Sequence, residues 1–122
     1  MKKPLRVLYV DDEEPLRVLV KNQLIVEGYS VDTTDDGDTA LEKLKTGQFD
    51  VMILDIRMPR MNGIEVLKKV KGLGHQPRII MLTGVDEISI AIEAVKNGAN
   101  DYLTKPFDIT HLLACIERIT EV

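Results

Sequence analysis

Cysteine is almost missing from this chain: Cys115 is the only one in 122 residues, so no intrachain disulfide can form and a disulfide-stapled secreted scaffold is excluded. Long apolar runs are missing too. No stretch approaches the roughly 20 apolar residues that a membrane-spanning helix needs. The start Met1-Lys2-Lys3 leads only into a short strand-like run broken by Arg6, which is not expected to work as a signal peptide. The expected setting is therefore a reducing cytoplasm, away from the membrane. Blocks of positive charge are also absent: the net charge is -4 and Lys and Arg are scattered, so direct nucleic-acid binding is not expected. His75 and His111 stand without a ligand partner at useful spacing and read as surface residues, and Cys115 reads as a small apolar filler at the edge of a helical stripe.

What is present is an alternation. Hydrophobic residues make up 44% and charged residues 30%, as in ordinary globular proteins, and the length suits one domain, 1–122. Five short runs, Leu5 to Val10, Ser30 to Thr33, Val51 to Leu54, Arg78 to Leu82 and Asp101 to Thr104, alternate with five segments of helical period. Three of the runs are apolar over most of their length, as strands covered on both faces must be. Leu16, Leu19, Val20 and Leu24 form one helical stripe, and Ile88, Ala91, Ile92 and Val95 form another. Ile109, Leu112, Leu113, Ile116 and Ile119 form the last, while a third helix near Asn62 to Lys71 is blurred at its end by Gly72 and Gly74. Gly28, Gly47 and Gly98 sit where helices should stop, each expected in the left-handed conformation of a C-cap. A (βα)5 alternation of this length predicts an α/β fold with a doubly wound five-stranded parallel sheet, but periodicity leaves the strand order open.

In such a sheet every strand ends at the same edge, which is where ligands bind. The first strand delivers Asp11 and Asp12 there, the third Asp55, the fourth Thr83 and the fifth Lys105. Carboxylates 4 Å apart repel by about 4 kcal/mol per pair at an effective dielectric near 20, so three together need a counter-charge. Oxygen ligands without His or Cys suit Mg2+. With a lysine and a threonine beside it, such a centre is equipped to hold a phosphoryl group, whose transfer depends on neutralising its oxygens. Each residue also has a plainer role: Asp12 as a cap for the helix that Pro15 helps to start, Asp55 in a turn, Thr83 as a cap ahead of Asp86 and Glu87. Capping does not account for their joint placement at the ends of four strands.

These residues resemble the receiver domain of bacterial two-component response regulators, over essentially the whole chain. The resemblance is carried by YVDDEEPLR, LDIRMPRMNG, MLTG and NGANDYLTKPF, in that order. It implies the flavodoxin-like strand order 2-1-3-4-5, and it implies that Asp55 accepts a phosphoryl group from a phosphohistidine of a sensor histidine kinase or phosphotransfer protein. Asp12 would ligate Mg2+ directly, Asp11 mainly through water, Asp55 through its side chain and Arg57 through its backbone carbonyl. Thr83 and Lys105 would each take a phosphoryl oxygen, with Gly84 leaving the backbone open. The Lys105-Pro106 bond is usually cis in the family, and Met58-Pro59 with Gly63 fits the family's loop after the acceptor.

The resemblance further implies a switch in which Thr83 moves inward and Tyr102 fills the space, reshaping the face made by the fourth helix, fifth strand and fifth helix. That face would meet an output domain or downstream protein, and a homodimer is allowed; Ile90, off the main apolar stripe of its helix, reads as a contact there or as a single exposed apolar residue without a role. Such a domain is a signalling phosphoacceptor that assists its own phosphorylation and dephosphorylation, not an enzyme with a separate substrate. Arg57 and Val85 occupy positions that tune loss of the phosphoryl group to water; a flexible cation beside a valine that cannot orient a water implies slow loss. Rival readings remain. A haloacid-dehalogenase-type phosphatase would carry D-x-D after the first strand, whereas this chain has Asp11-Asp12-Glu13-Glu14. A flavin-binding flavodoxin-like protein would need a Gly/Ser/Thr-rich phosphate loop there. A degenerate receiver would act only as a phosphorylation-independent docking module.

Overall fold

The computed structural model describes residues 4–121. The Met1-Lys2-Lys3 start and Val122 lie outside them. Strands β1 (Arg6–Val10), β2 (Ser30–Thr34), β3 (Val51–Asp55), β4 (Arg78–Thr83) and β5 (Asp101–Thr104) alternate with helices α1 (Glu14–Val26), α2 (Gly37–Thr46), α3 (Gly63–Val70), α4 (Ile88–Lys96) and α5 (Ile109–Thr120). A short 3-10 turn, Val85–Glu87, precedes α4. All strands pair in parallel in the order β2-β1-β3-β4-β5. This is the expected flavodoxin-like topology. The three continuously apolar runs are the three central strands, and every residue of β3 is buried. The more polar β2 and β5 lie at the edges, where a strand keeps one side in solvent.

Side-chain alternation divides the core in two. Leu8, Met52, Leu54 and Met81 face α2, α3 and α4, and Val7, Tyr9, Ile53 and Leu82 face α1 and α5. The order reverses between β1 and β3, since β2 lies outside β1 and all later strands lie beyond β3. A crevice must open there at the strand C-termini.

Several expectations need correction. β3 and β4 each run one residue further than their apolar patterns, so Asp55 and Thr83 are the last residues of their strands. Gly28 and Gly98 take left-handed φ values of 99° and 116°, but Gly47 is extended at φ -128°, because the chain turns there directly toward β3. In α1 the buried residues are Val20 and Leu24, and Leu19 is 55% exposed. In α4 the seam is Ala91 and Ala94, leaving Ile92 and Val95 43% and 36% exposed. Small side chains let that helix lie close to the sheet, so the larger residues beside them turn outward. Cys115 is not at the edge of its stripe but in its centre, 1% exposed. His75 and His111 are exposed, as expected, and so is Ile90.

The division within α1 is measurable. Leu24→Ala should destabilise by about 2–5 kcal/mol in denaturant unfolding, whereas Leu19→Ala should cost under about 1 kcal/mol. Equal losses would return Leu19 to the core.

Candidate functional site

The C-terminal edge of the sheet brings together the acids that the sequence placed on separate strands. Asp11 follows β1, held in line by its N–H donating to the Thr34 carbonyl and by Arg17 Nη1 donating to its own carbonyl at 2.8 Å. Asp12 follows, exposed to solvent. Asp55 ends β3, with only its tip open. Asp11, Asp12 and Asp55 each offer one carboxylate oxygen, and the three oxygens lie within 4.8 Å of one another. Asp12 does not cap α1: Glu13 holds the cap position and Pro15 opens the first turn.

Lys105 enters from the end of β5. Its Nζ lies 3.0 Å from Asp11 Oδ2, 3.1 Å from Asp55 Oδ2 and 3.1 Å from Glu13 Oε2. The Lys105 N–H donates to the Thr83 carbonyl at 2.7 Å, and the Lys105-Pro106 peptide is cis. One ammonium thus faces several carboxylates, and the titration of the group follows from that imbalance. Burial, then the Asp11 carboxylate, pushes Asp55 from its ordinary 3.8 up to about 7, against the pull of Lys105. Burial alone would lower Lys105, but Asp11, Asp55 and Glu13 more than offset it and hold the ammonium well above its usual range.

Loops after β3 and β4 border the cleft. After β3 the chain turns through Met58-Pro59, and Arg60 takes a left-handed φ of 66°. The turn then enters α3 through a capping box in which Asn62 and Glu65 satisfy each other's backbone N–H groups. Gly63 is required there, since a Cβ would collide with the Asp55 carbonyl oxygen. Across the cleft Arg57 Nε donates to Glu87 Oε2 at 3.0 Å, and its Nη2 lies 3.5 Å from Asp86. Glu87 also accepts the Gly84 N–H at 3.4 Å. Arg57 thus reaches the loop that follows β4 while its side chain stays exposed. The cleft measures about 350 Å³ and is lined by Asp12, Asp55, Arg57, Gly84, Glu87 and Lys105, among others. A groove of about 470 Å³ between α3 and α4, which includes Ile90, is bordered mainly by apolar and lysine side chains, with Glu93 among them but no cluster of acids.

Thr83 behaves differently from the rest. It is fully buried, and its hydroxyl donates to the Gly84 carbonyl at 3.0 Å, so the side chain neither caps a helix nor faces the cleft. Tyr102 is half-buried on the same sheet face, pairing with Met81 one pleat below the Thr83–Thr104 pair. Glu13, Glu87 and Tyr9 were not singled out by the sequence reading. Glu13 was legible as the next acid after the pair, and Tyr9 as the residue two before Asp11 on the same strand face. No local pattern links Arg57 to Glu87, thirty positions away.

The donor set fits a hard divalent cation: three carboxylates within reach of one ion, no nitrogen or sulfur ligand, and a local excess of negative charge. No helix among the described residues is long and apolar enough to cross a membrane.

Comparison with known proteins agrees with this fold. The family described as the response regulator receiver domain matches residues 7–117. The transcriptional regulatory protein DltR of Streptococcus agalactiae is 40% identical over 112 residues, 92% of this chain and 50% of that protein. The response regulator MprA of Mycobacterium tuberculosis is 38% identical over 110 residues, 90% of this chain and 48% of that protein. The chain thus spans about half the length of these curated relatives. Among solved structures, the chemotaxis protein CheY4 of Vibrio cholerae superposes with a TM-score of 0.89 at 36% identity, covering 95% of this chain and 98% of that one. The receiver domain of NtrX from Brucella abortus gives 0.89 at 32% identity, with 95% and 98% covered. Such domains are the phosphoacceptor modules of two-component signalling and bind Mg2+ at acidic residues. With its acids, lysine and topology in place, this chain belongs to the response regulator receiver domain family.

Proposed function

We propose that the chain is a single receiver domain in which Asp55 takes a phosphoryl group from the phosphohistidine of a sensor histidine kinase or phosphotransfer protein, in a Mg2+-dependent reaction. The observation that carries this reading is the contact of Lys105 Nζ with both Asp55 and Asp11, beside a carboxylate trio within 4.8 Å. Asp11, Asp12, Asp55 and the Arg57 carbonyl would hold the ion. Bound there, it neutralises the oxygens of the transferring group. An Asp55 oxygen forms the bond to phosphorus as the phosphorus–nitrogen bond of the phosphohistidine breaks, its electron pair leaving with the imidazole. Lys105 pairs with one phosphoryl oxygen. Thr83 donates to another by giving up its present bond to Gly84.

That exchange is the start of the signal. Phosphorylation adds negative charge and strong acceptors at Asp55, which draw in Thr83 and Lys105. In this reading Tyr102 follows, and the α4-β5-α5 face changes between two populated states. An output domain or downstream protein meets that face, a homodimer is one arrangement of it, and neither nucleic acid nor membrane is touched by this domain itself. The setting is the cytoplasm, consistent with a lone reduced Cys115. The domain is a phosphoacceptor without a separate substrate. The docking-only alternative is not favoured, because it leaves the convergence of Asp11, Asp12, Asp55 and Lys105 without a purpose.

The first test uses a small acyl phosphate and Mg2+. The protein should gain one phosphoryl mass, base-labile and acid-stable, and Asp55→Asn should gain none. Gain in Asp55→Asn would move the acceptor elsewhere, and no gain in the wild type would favour the docking module.

A second test follows from the raised Asp55 carboxyl. A carboxyl whose folded pKa exceeds its unfolded one contributes stability that is complete below 3.8 and is lost as pH rises through about 7. In metal-free buffer, Asp55→Asn should therefore match the wild type in acid and become more stable by on the order of 2 kcal/mol above about pH 8. Mg2+ should narrow that gap by stabilising the wild type more than the variant, which keeps Asp11 and Asp12 but lacks the third carboxylate. A gap independent of pH would contradict the charge imbalance.

Phosphoryl lifetime provides a third test. Arg57 is engaged by Glu87 and Asp86, and Val85 is exposed without a group to orient water, so self-dephosphorylation should be slow. Neither Arg57→Ala nor Val85→Gln should lengthen the half-life of the aspartyl phosphate, and a longer one in either variant would refute this account.

A further inference from the structure

One polar group at the site has no part in the reaction described. Tyr9 is wholly buried in the cluster that includes Val7, Leu24 and Ile53, and its hydroxyl donates to Asp11 Oδ2 at 2.9 Å. Asp11 is itself wholly buried. Its Oδ2 also meets Lys105 at 3.0 Å, and its Oδ1 accepts the Glu13 N–H at 3.1 Å. Both carboxylate oxygens are thus engaged, one from below by the phenol and one from the loop above.

We infer that Tyr9 is a positioning residue: its hydroxyl fixes the Asp11 carboxylate in the orientation that serves the metal before the metal arrives. The inference rests on reading the site as a Mg2+-dependent phosphoacceptor. Strand geometry supports it, since Tyr9 and Asp11 are two residues apart on one face and the phenol reaches the carboxylate from the interior side. Packing does not require the hydroxyl, because phenylalanine would fill the same core space. A buried phenol does require a partner, and the partner here is a carboxylate of the site. Groups behind a metal-binding carboxylate set its orientation, and their loss commonly costs tenfold or more in metal affinity.

The test is Tyr9→Phe, with Mg2+ titrated into the metal-free protein and followed by amide NMR shifts of the cleft residues. The variant should keep its fold and bind Mg2+ about tenfold more weakly. Its deficit in acyl-phosphate-driven phosphorylation should close as Mg2+ is raised. In an Asp11→Asn background the same substitution should change Mg2+ affinity no further, since the hydroxyl acts through Asp11. Unchanged or tighter Mg2+ binding in Tyr9→Phe would reduce Tyr9 to a satisfied core residue and overturn the inference alone. A wild-type protein that binds no Mg2+ would overturn the reading of the site, and this inference with it.

Discussion

The ammonium of Lys105 stands against Asp11, Glu13 and Asp55 at the crevice between β1 and β3, and the arrangement of the chain's polar residues depends on that contact. Three separate strand ends have to converge for it to form. β1 and β3 must be neighbours, and β5 must end close enough for a long side chain to reach across β4. A parallel sheet with its order reversed at β1/β3 meets both conditions. The contact does not balance the charge, however. Burial penalises the Asp55 carboxylate, the neighbouring Asp11 adds to it, one lysine does not offset both, and the Asp55 carboxyl is pushed up to about 7. A fold selected only for stability would place fewer acids there. In the proposed reading the excess negative charge attracts a cation, and the cation in turn would admit a dianionic phosphoryl group, so stability and function pull against each other at this edge.

The central strands were legible because their apolar runs are too short for a buried helix and alternate with segments of helical period, which leaves strands covered on both faces. The edge residues were legible because a charge directly after such a run must lie where the strand leaves the core. The strand order was not in the periodicity at all, and came only with the family resemblance. The helices were less legible. Leu19 and Ile92 satisfy a helical period as well as their buried neighbours do, yet the period does not say which side of a broad stripe meets the sheet. In α4 that choice fell to alanines, whose small size permits close approach. Glu87 and Arg57 meet across thirty residues, and only the pairing of β3 beside β4 brings their loops together. Side-chain partners of this kind depend on tertiary geometry that no local pattern encodes.

Alternation also separates the site into two halves. Asp11, Asp55 and Lys105 continue the strand faces of Tyr9, Ile53 and Leu103, which look toward α1 and α5. Thr83 continues the face of Met81, which looks toward α4. A phosphoryl group on Asp55 would therefore sit on one side of the sheet, and the hydroxyl proposed to detect it on the other. Only at the strand ends, where side chains from both faces reach the same edge, can the two meet. If Thr83 exchanges its bond to Gly84 for a phosphoryl oxygen, as proposed, the change would lie on the α4 side of the sheet. Tyr102 is on that same side, one pleat below on the neighbouring strand. The acceptor can thus be shielded among the α1–α5 elements while its consequence is delivered to the opposite face. Thr83 is buried and β-branched, with few rotamers available, so the rearrangement proposed for it would be a choice between discrete positions, not a gradual drift.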